Sequence, residues 1–281
     1  MNAIEKALWF IESHFASEIT LRDLAKAGGV TRFHITRAFG AATGRSIMGY
    51  VRGRRLTEAA KALSNGAADI LSVALGAGYG SHEAFTRAFR DEFGVTPETI
   101  RAQGHLTKIE LIHPIKMDET LLIKLESPRF VSSKRLLLAG LGERYTCDTS
   151  AAIPSQWQRF LPHLNQIPGQ LGGTAYGVCC NSDAAGNFDY VCGVEVKDFA
   201  RVSADWSRVR IPELRYAVFH QREHISTIRS TWNTIWNNWL PDSGYEVVDA
   251  PNFERYGDDF DSVTGTGGFE IWIPIKKCNQ P

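Results

Sequence analysis

The chain has 281 residues with 31 Lys and Arg against 31 Asp and Glu, so it is long enough for two domains and its total charge points to neither a nucleic-acid nor a membrane partner. No apolar run reaches the ~18 residues of a membrane span and the start lacks a signal-peptide pattern, so a cytoplasmic location is expected. Cys147, Cys179, Cys180, Cys192 and Cys278 form no CxxC pair and have no His at ligand spacing, so they read as reduced strand fillers, with no metal, cofactor or disulfide expected.

In chain order, Ile4, Leu8, Ile11 and Phe15 form the inward stripe of an opening helix. Thr20 and Asp23 make a capping box for a short helix that ends at Gly28 and Gly29, and the chain re-enters helix at Thr31. There Ile35 and Phe39 face inward, with Arg32, Phe33, Thr36 and Arg37 on the other side. A longer helix, Ser46 to Leu63, carries an apolar stripe with Arg52, Arg54, Arg55 and Lys61 off it. Ile70 to Ala77, a turn at Gly78 and a helix capped by Ser81 repeat the first pattern, with Phe85 and Phe89 inward and His82, Glu83, Thr86, Arg87 and Arg90 outward. Thr96-Pro97 starts a closing helix that ends by Gly104.

Residues 106–119 have no strong pattern and read as a linker between domains 1–105 and 120–281. The first domain holds 13 Lys and Arg against 10 Asp and Glu, so the charge balance reverses beyond it. From there alternation and β-branched runs predict strands at Leu121–Leu125, Leu136–Tyr145, Tyr176–Asn181, Tyr190–Val196, Tyr216–Gln221, Tyr245–Asp249 and Phe269–Ile275, with helices at Ser155–Gln166 and Ile225–Leu240. The expected architecture is multidomain: an all-α N-terminal domain with two helix-turn-helix motifs, then an α+β domain built from a duplicated strand-helix-strand-strand unit on one antiparallel sheet.

Thr36-Arg37-Ala38-Phe39 returns fifty positions later as Thr86-Arg87-Ala88-Phe89, and Gly44 and Gly94 share that offset. Two helix-turn-helix motifs on one frame can read successive major grooves of double-stranded DNA. Arg37 and Arg87 are the candidate guanine contacts, and Arg32, Phe33, Thr36, His82, Glu83 and Thr86 line the same faces. The competing reading pairs each Arg with a carboxylate on a bundle surface, but a bundle has no need to repeat the same exposed residues. Because the flanking residues differ between copies, an asymmetric site is expected. With Leu24-Ala25, Gly29, Arg37 and Phe39, then Ala74, Gly78-Tyr79, Ser81, Phe85, Phe93-Gly94, Thr96-Pro97 and Arg101, the stretch Ile4–Arg101 resembles the DNA-binding domain of AraC/XylS-type transcription regulators. That resemblance implies base contacts from both second helices and activation through RNA polymerase.

In the last strand, alternation places Glu270 beside Trp272, a combination that can hold an organic cation. Residues carrying a second resemblance include Ile153-Pro154, Trp157, Phe188-Asp189-Tyr190, Tyr216-Ala217-Val218-Phe219, Trp232, Trp239-Leu240-Pro241, Phe253-Glu254-Arg255-Tyr256 and Glu270-Ile271-Trp272. On these, Leu121–Lys277 resembles the GyrI-like small-molecule-binding domain. The resemblance implies a pocket for amphipathic or cationic organic molecules such as drugs or antibiotics, with an acidic residue inside. Glu270 is the first choice and Glu254 the second, the alternatives being a salt-bridged strand-end Glu and a solvated turn. Trp157, Tyr176, Tyr190, Tyr216 and Trp272 are the expected walls, against the alternative that the aromatics are core. A small-molecule hydrolase and a protein-partner-binding module are the other function classes the resemblance leaves open, although no Ser/His/Asp or Cys/His constellation marks catalysis.

Overall fold

The computed structural model describes residues 3–67, 69–107, 109–115, 122–146, 149–183 and 186–278. The chain divides into two compact units, one of residues 1–35 and 45–117, the other of residues 36–44 and 118–281.

Among the described residues seven helices fill the N-terminal region: α1 (Ala3–His14), α2 (Leu21–Gly28), α3 (Arg32–Thr43), α4 (Ile47–Ser64), α5 (Ile70–Gly76), α6 (His82–Phe93) and α7 (Pro97–Gln103). Their ends follow from local chemistry. Thr20 and Asp23 close the expected capping box, and Ser46, Asp69, Ser81 and Thr96 each accept a first-turn N–H. The turn inside each helix-turn-helix passes through a left-handed glycine, Gly29 at φ 70° and Gly78 at φ 84°. A side chain there would strain the backbone, so the repeat has kept glycine in both copies. Leu56, Leu63, Ile70, Ala74, Phe85, Phe89, Phe93 and Ile100 form the core of the second motif.

Arg54, off the apolar stripe of α4, is buried, because Glu12, Glu58 and the Ile112 carbonyl accept its guanidinium protons. Part of the expected linker is packed as well: Leu106, Ile109 and Leu111 lie on the second-motif core, and Ile112 is buried. Its lack of periodicity reflects a single extended pass of chain held by side chains of a neighbouring helix. Residues 116–121 lie outside the described residues.

The α+β unit has strands β1 (Arg129–Ser132), β2 (Leu136–Tyr145), β3 (Gln170–Cys180), β4 (Phe188–Val196), β5 (Ser207–Ile211), β6 (Arg215–Gln221), β7 (Tyr245–Val247), β8 (Asn252–Tyr256) and β9 (Phe269–Lys277). All described pairings are antiparallel, in the order β1-β6-β9-β8-β3-β4-β2-β5, with β7 also on β9. Helix α8 (Ile153–Phe160) follows β2, and α9 (Ile228–Thr234) follows β6 and runs on as a π-helical turn, Ile235–Trp239. The first expected strand is corrected: residue 121 lies outside the described residues and 122–125 are not strand. Strands β1, β5 and β8 are additions, segments of only four or five residues. The expected helix to Gln166 stops at Phe160, since Pro162 has no N–H to continue the ladder and tightens the chain into the turn Leu161–His163.

Two features of the sheet position the site. Six inter-strand steps of about 4.8 Å would hold β6 and β5 about 29 Å apart if the sheet were flat. Residues 212–214 alone join them, a reach of about 15 Å, so the sheet must curl. Leu138, Ile211, Tyr216, Val218, Phe253 and Trp272 fill the inside of the curl. The strand order is also a palindrome of the duplicated unit, β6-β9-β8 against β3-β4-β2, with the join between β8 and β3. Across that join Glu254 stands opposite Gly177. The pseudo-symmetric halves therefore supply a carboxylate from one side and an absent side chain from the other.

Candidate functional site

On β8, alternation sends Asn252, Glu254 and Tyr256 to the face covered by the helices, and Phe253 and Arg255 into the curl. Glu254 is thereby buried, at 5% exposure, where the sequence left a solvated turn open. Tyr190 and Tyr256 donate their hydroxyl protons to its Oε2 at 2.5 and 2.9 Å, and the Trp232 indole N–H donates to Oε1 at 3.1 Å. Trp157 Nε1 donates in turn to the Tyr190 oxygen at 3.0 Å. Among the described residues no Lys, Arg or His acts on this carboxylate. Burial pushes its pKa above the ordinary carboxylate range, against the pull of the hydrogen bonds from Tyr190, Trp232 and Tyr256.

Each half of the duplication contributes one indole. Gln156, fully buried on α8, donates its amide protons to the Leu141 and Tyr190 carbonyls at 2.8 and 2.9 Å, which fixes the helix over β2 and β4 and aims the next residue, Trp157, at the site. Trp157 meets Tyr256 edge-on with centroids 5.1 Å apart, and Tyr256 packs on Phe260 at 4.8 Å. On α9, Trp232 stacks over Trp236 at 6.4 Å. Trp157, Trp232 and Phe260 are only half-buried, so the aromatic lid over the carboxylate reaches solvent. Gly177 forms the floor: a Cβ there would lie 2.5 Å from Glu254 Oε2 and closer still to the Tyr190 hydroxyl.

The other expected residues lie across the sheet. Tyr176, Tyr216 and Trp272 pack inside the curl with Phe253, so they do not join Trp157, Tyr190 and Glu254 around one carboxylate. Glu270 sits there too, with Arg129 at 2.5 Å, Arg255 at 3.3 Å and the Trp272 indole N–H at 3.0 Å, while Arg129 also lies over the Trp272 ring. Burial raises the Glu270 pKa, but hydrogen bonds and charge from Arg129, Trp272 and Arg255 outweigh it and the carboxyl ends below its ordinary range. The two acids are thus driven in opposite directions, and only Glu254 lacks a cation. Trp232, Tyr256, Gln156 and Gly177 were not assigned to the site from sequence. The pairing of Glu254 with Tyr256 two residues on, in a strand, was the signal available for one of them.

A consequence for Glu270 is testable. Its depressed pKa contributes stability that is present above the unfolded value and lost as pH falls through the folded one. Glu270→Gln is expected to cost about 1–3 kcal/mol near neutral pH, discounted because Arg129 is half exposed, and to flatten stability against pH on the acid side. Chemical denaturation across pH checks this, and an unchanged acid limb would rule the pairing out as a stabilising one.

In the helical region, Arg32, His82, Glu83 and Arg87 are exposed, Phe33, Arg37 and Thr86 are half-buried, and Thr36 is buried. The expected exposure of Thr36 is corrected: the residue is buried at 6% exposure. His82 Nε2 lies 2.9 Å from Glu98 Oε1. Arg87 has no ion-pair or hydrogen-bond partner among the described residues, contrary to the reading that would spend it on a bundle-surface carboxylate. Phe39, Phe85 and Phe89 are fully buried, so each second helix is anchored by its aromatic face.

A family model described as the GyrI-like small molecule binding domain matches residues 126–276, and a helix-turn-helix domain model matches residues 24–103. The transcriptional regulator Rob of Salmonella typhimurium is 29% identical over 177 residues, 60% of this chain and 60% of Rob. The chain thus spans 60% of the length of that relative. The multiple antibiotic resistance protein MarA of Escherichia coli is 30% identical over 112 residues, 40% of this chain and 88% of MarA. Among solved structures, SAV2435 bound to tetraphenylphosphonium aligns with a TM-score of 0.46 at 22% identity, over 54% of this chain and 94% of that one. No described helix is long and apolar enough to cross a membrane, and no group of three or more His, Cys, Asp or Glu among the described residues could hold a metal ion.

Proposed function

We propose, from the premise that this chain belongs to the GyrI-like small-molecule-binding family and carries an AraC-type helix-turn-helix domain, that it is a transcription regulator that binds an amphipathic organic cation at Glu254. The observation that carries the ligand class is a buried carboxylate with aromatic walls and no cation of its own. An aromatic cation supplies the missing charge and gains π contact with Trp157 and Trp232, worth about 0.5–2 kcal/mol for each good contact. A neutral molecule of the same shape gains only the apolar part. Titration with tetraphenylphosphonium and with neutral triphenylphosphine oxide tests this. Saturable binding of the cation with little for the oxide is expected; equal binding of both would exclude a charge-selective site.

DNA reading is assigned to α3 and α6. Arg37 and Arg87 are the base contacts, with Arg32, Phe33, His82, Glu83 and Thr86 beside them and the buried Thr36 left out, on an asymmetric duplex site. Activation through RNA polymerase, implied by the AraC-type resemblance, belongs to the same proposal. Duplexes selected from a random pool by the full chain provide the substrate. Arg87→Ala should then lose about 1–3 kcal/mol of discrimination at one base position while unrelated duplexes bind as before. A uniform loss at every sequence would make Arg87 a phosphate contact instead.

A further inference from the structure

One face of α4 carries polar groups where a two-layer helical packing would carry apolar ones. Tyr50, Gly53, Arg54 and Thr57 recur at three- and four-residue spacing, and all are buried. The residues after α7 fill this stripe. Ile112 donates its N–H to Thr57 Oγ1 at 2.9 Å, and its carbonyl accepts from Arg54 Nη1 at 2.9 Å. Ile115 N–H donates to the Tyr50 oxygen at 3.2 Å. The approach is close enough that a Cβ on Gly53 would come within 2.9 Å of Ile112 Cγ1.

The same groups reach the first helix-turn-helix. Tyr50 donates to Glu12 Oε1 at 2.5 Å, and Arg54 holds both Glu12 oxygens through Nε and Nη2 at 2.9 to 3.1 Å. Glu12 belongs to α1, which packs on α2 of the first motif. Upstream, Ile109 and Leu111 lie on the core of the second motif. One extended segment is therefore fixed to the second motif at one end and, at the other, to the side chains that bind α4 to the first.

We infer that residues 109–115 are a positioning strap that holds the two helix-turn-helix motifs at the spacing required to occupy both half-sites at once. The inference rests on the proposed DNA reading. Two linked binding modules gain affinity from each other only while their geometry permits simultaneous engagement, and a loosened frame forfeits that gain without altering either module. Tyr50, Arg54 and Thr57 act through the strap and touch no DNA.

The test uses the full chain with Gly53→Leu, which keeps α4 helical but evicts Ile112, and Thr57→Val, which keeps the shape and removes the acceptor. Affinities are measured for a selected two-half-site duplex and for duplexes with either half-site scrambled, beside hydrogen exchange at the Ile112 amide. Both variants should exchange Ile112 faster and lose roughly tenfold or more on the intact site, while single-half-site affinities stay within about twofold. A released Ile112 amide with an unchanged ratio of intact to scrambled affinity would overturn the strap. Equal loss on all three duplexes would also overturn it, because that is the signature of general destabilisation. If Gly53→Leu does not fold, Thr57→Val decides alone; if the wild type selects no duplex, the DNA reading itself has failed.

Discussion

Glu254→Gln is expected to weaken tetraphenylphosphonium binding by about tenfold or more, equivalent to at least about 1.4 kcal/mol, and to remove the pH dependence of that binding. Gln keeps the shape and one acceptor for Tyr190 and Tyr256, so the charge goes while Trp232 alone loses its acceptor. In the wild type burial raises the pKa, so the carboxyl takes up its proton at higher pH than an ordinary carboxylate does. A cation binds the ionised form, so affinity should rise as pH increases through that pKa, and binding should release protons. The sign for stability is the reverse. With the folded pKa above the unfolded one, the native state holds the extra proton, and stability is greatest below the unfolded pKa and declines as pH rises through the folded one. Titration calorimetry in buffers of different ionisation enthalpy reads the proton release directly. A Gln variant that binds the cation as tightly as the wild type, with the same pH profile, would move the site elsewhere.

The sequence shows some of this and conceals the rest for identifiable reasons. Helix ends at Thr20, Ser81 and Thr96 and the turns at Gly29 and Gly78 are set by residues within a few positions, so spacing alone reveals them. Phe39, Phe85 and Phe89 are buried as the spacing of the Thr-Arg-Ala-Phe repeat predicts, while Thr36 is buried where that spacing predicts exposure. The choice between Glu270 and Glu254 was not legible. Both sit on strands beside aromatics, and what separates them is which neighbours carry charge. Arg129 lies on β1, which pairs not with β9 but with β6, so its reach to Glu270 exists only once the sheet has formed and curled. Gly177 is silent in sequence for the same reason: its role comes from lying opposite Glu254 in register. The strap is hidden differently, since its hydrogen bonds to α4 are made by its own backbone and leave no trace in side-chain pattern.

Gly177→Ala is expected to damage the site more than any loss of a single donor. The added methyl would meet Glu254 Oε2 and the Tyr190 hydroxyl at distances that no real Cβ tolerates, with β3 and β8 fixed to each other by their ladder. The strain must be relieved by the side chains. Tyr190 cannot retreat without breaking its hydrogen bonds to Glu254 and from Trp157, and Glu254 cannot retreat without leaving three donors. Overpacking of this kind costs about 1–3 kcal/mol, and the displaced carboxylate should lose cation binding along with it. Tyr190→Phe removes the atom nearest the new methyl. The double variant Gly177→Ala/Tyr190→Phe should therefore be more stable than the sum of the single changes implies, by about 0.5 kcal/mol or more in a double-mutant cycle read by denaturant unfolding. Strict additivity would mean that the added methyl is accommodated without pressing on the Tyr190 hydroxyl. Coupling would establish that one half of the duplicated fold has kept an empty position so that the other half can bury its carboxylate there.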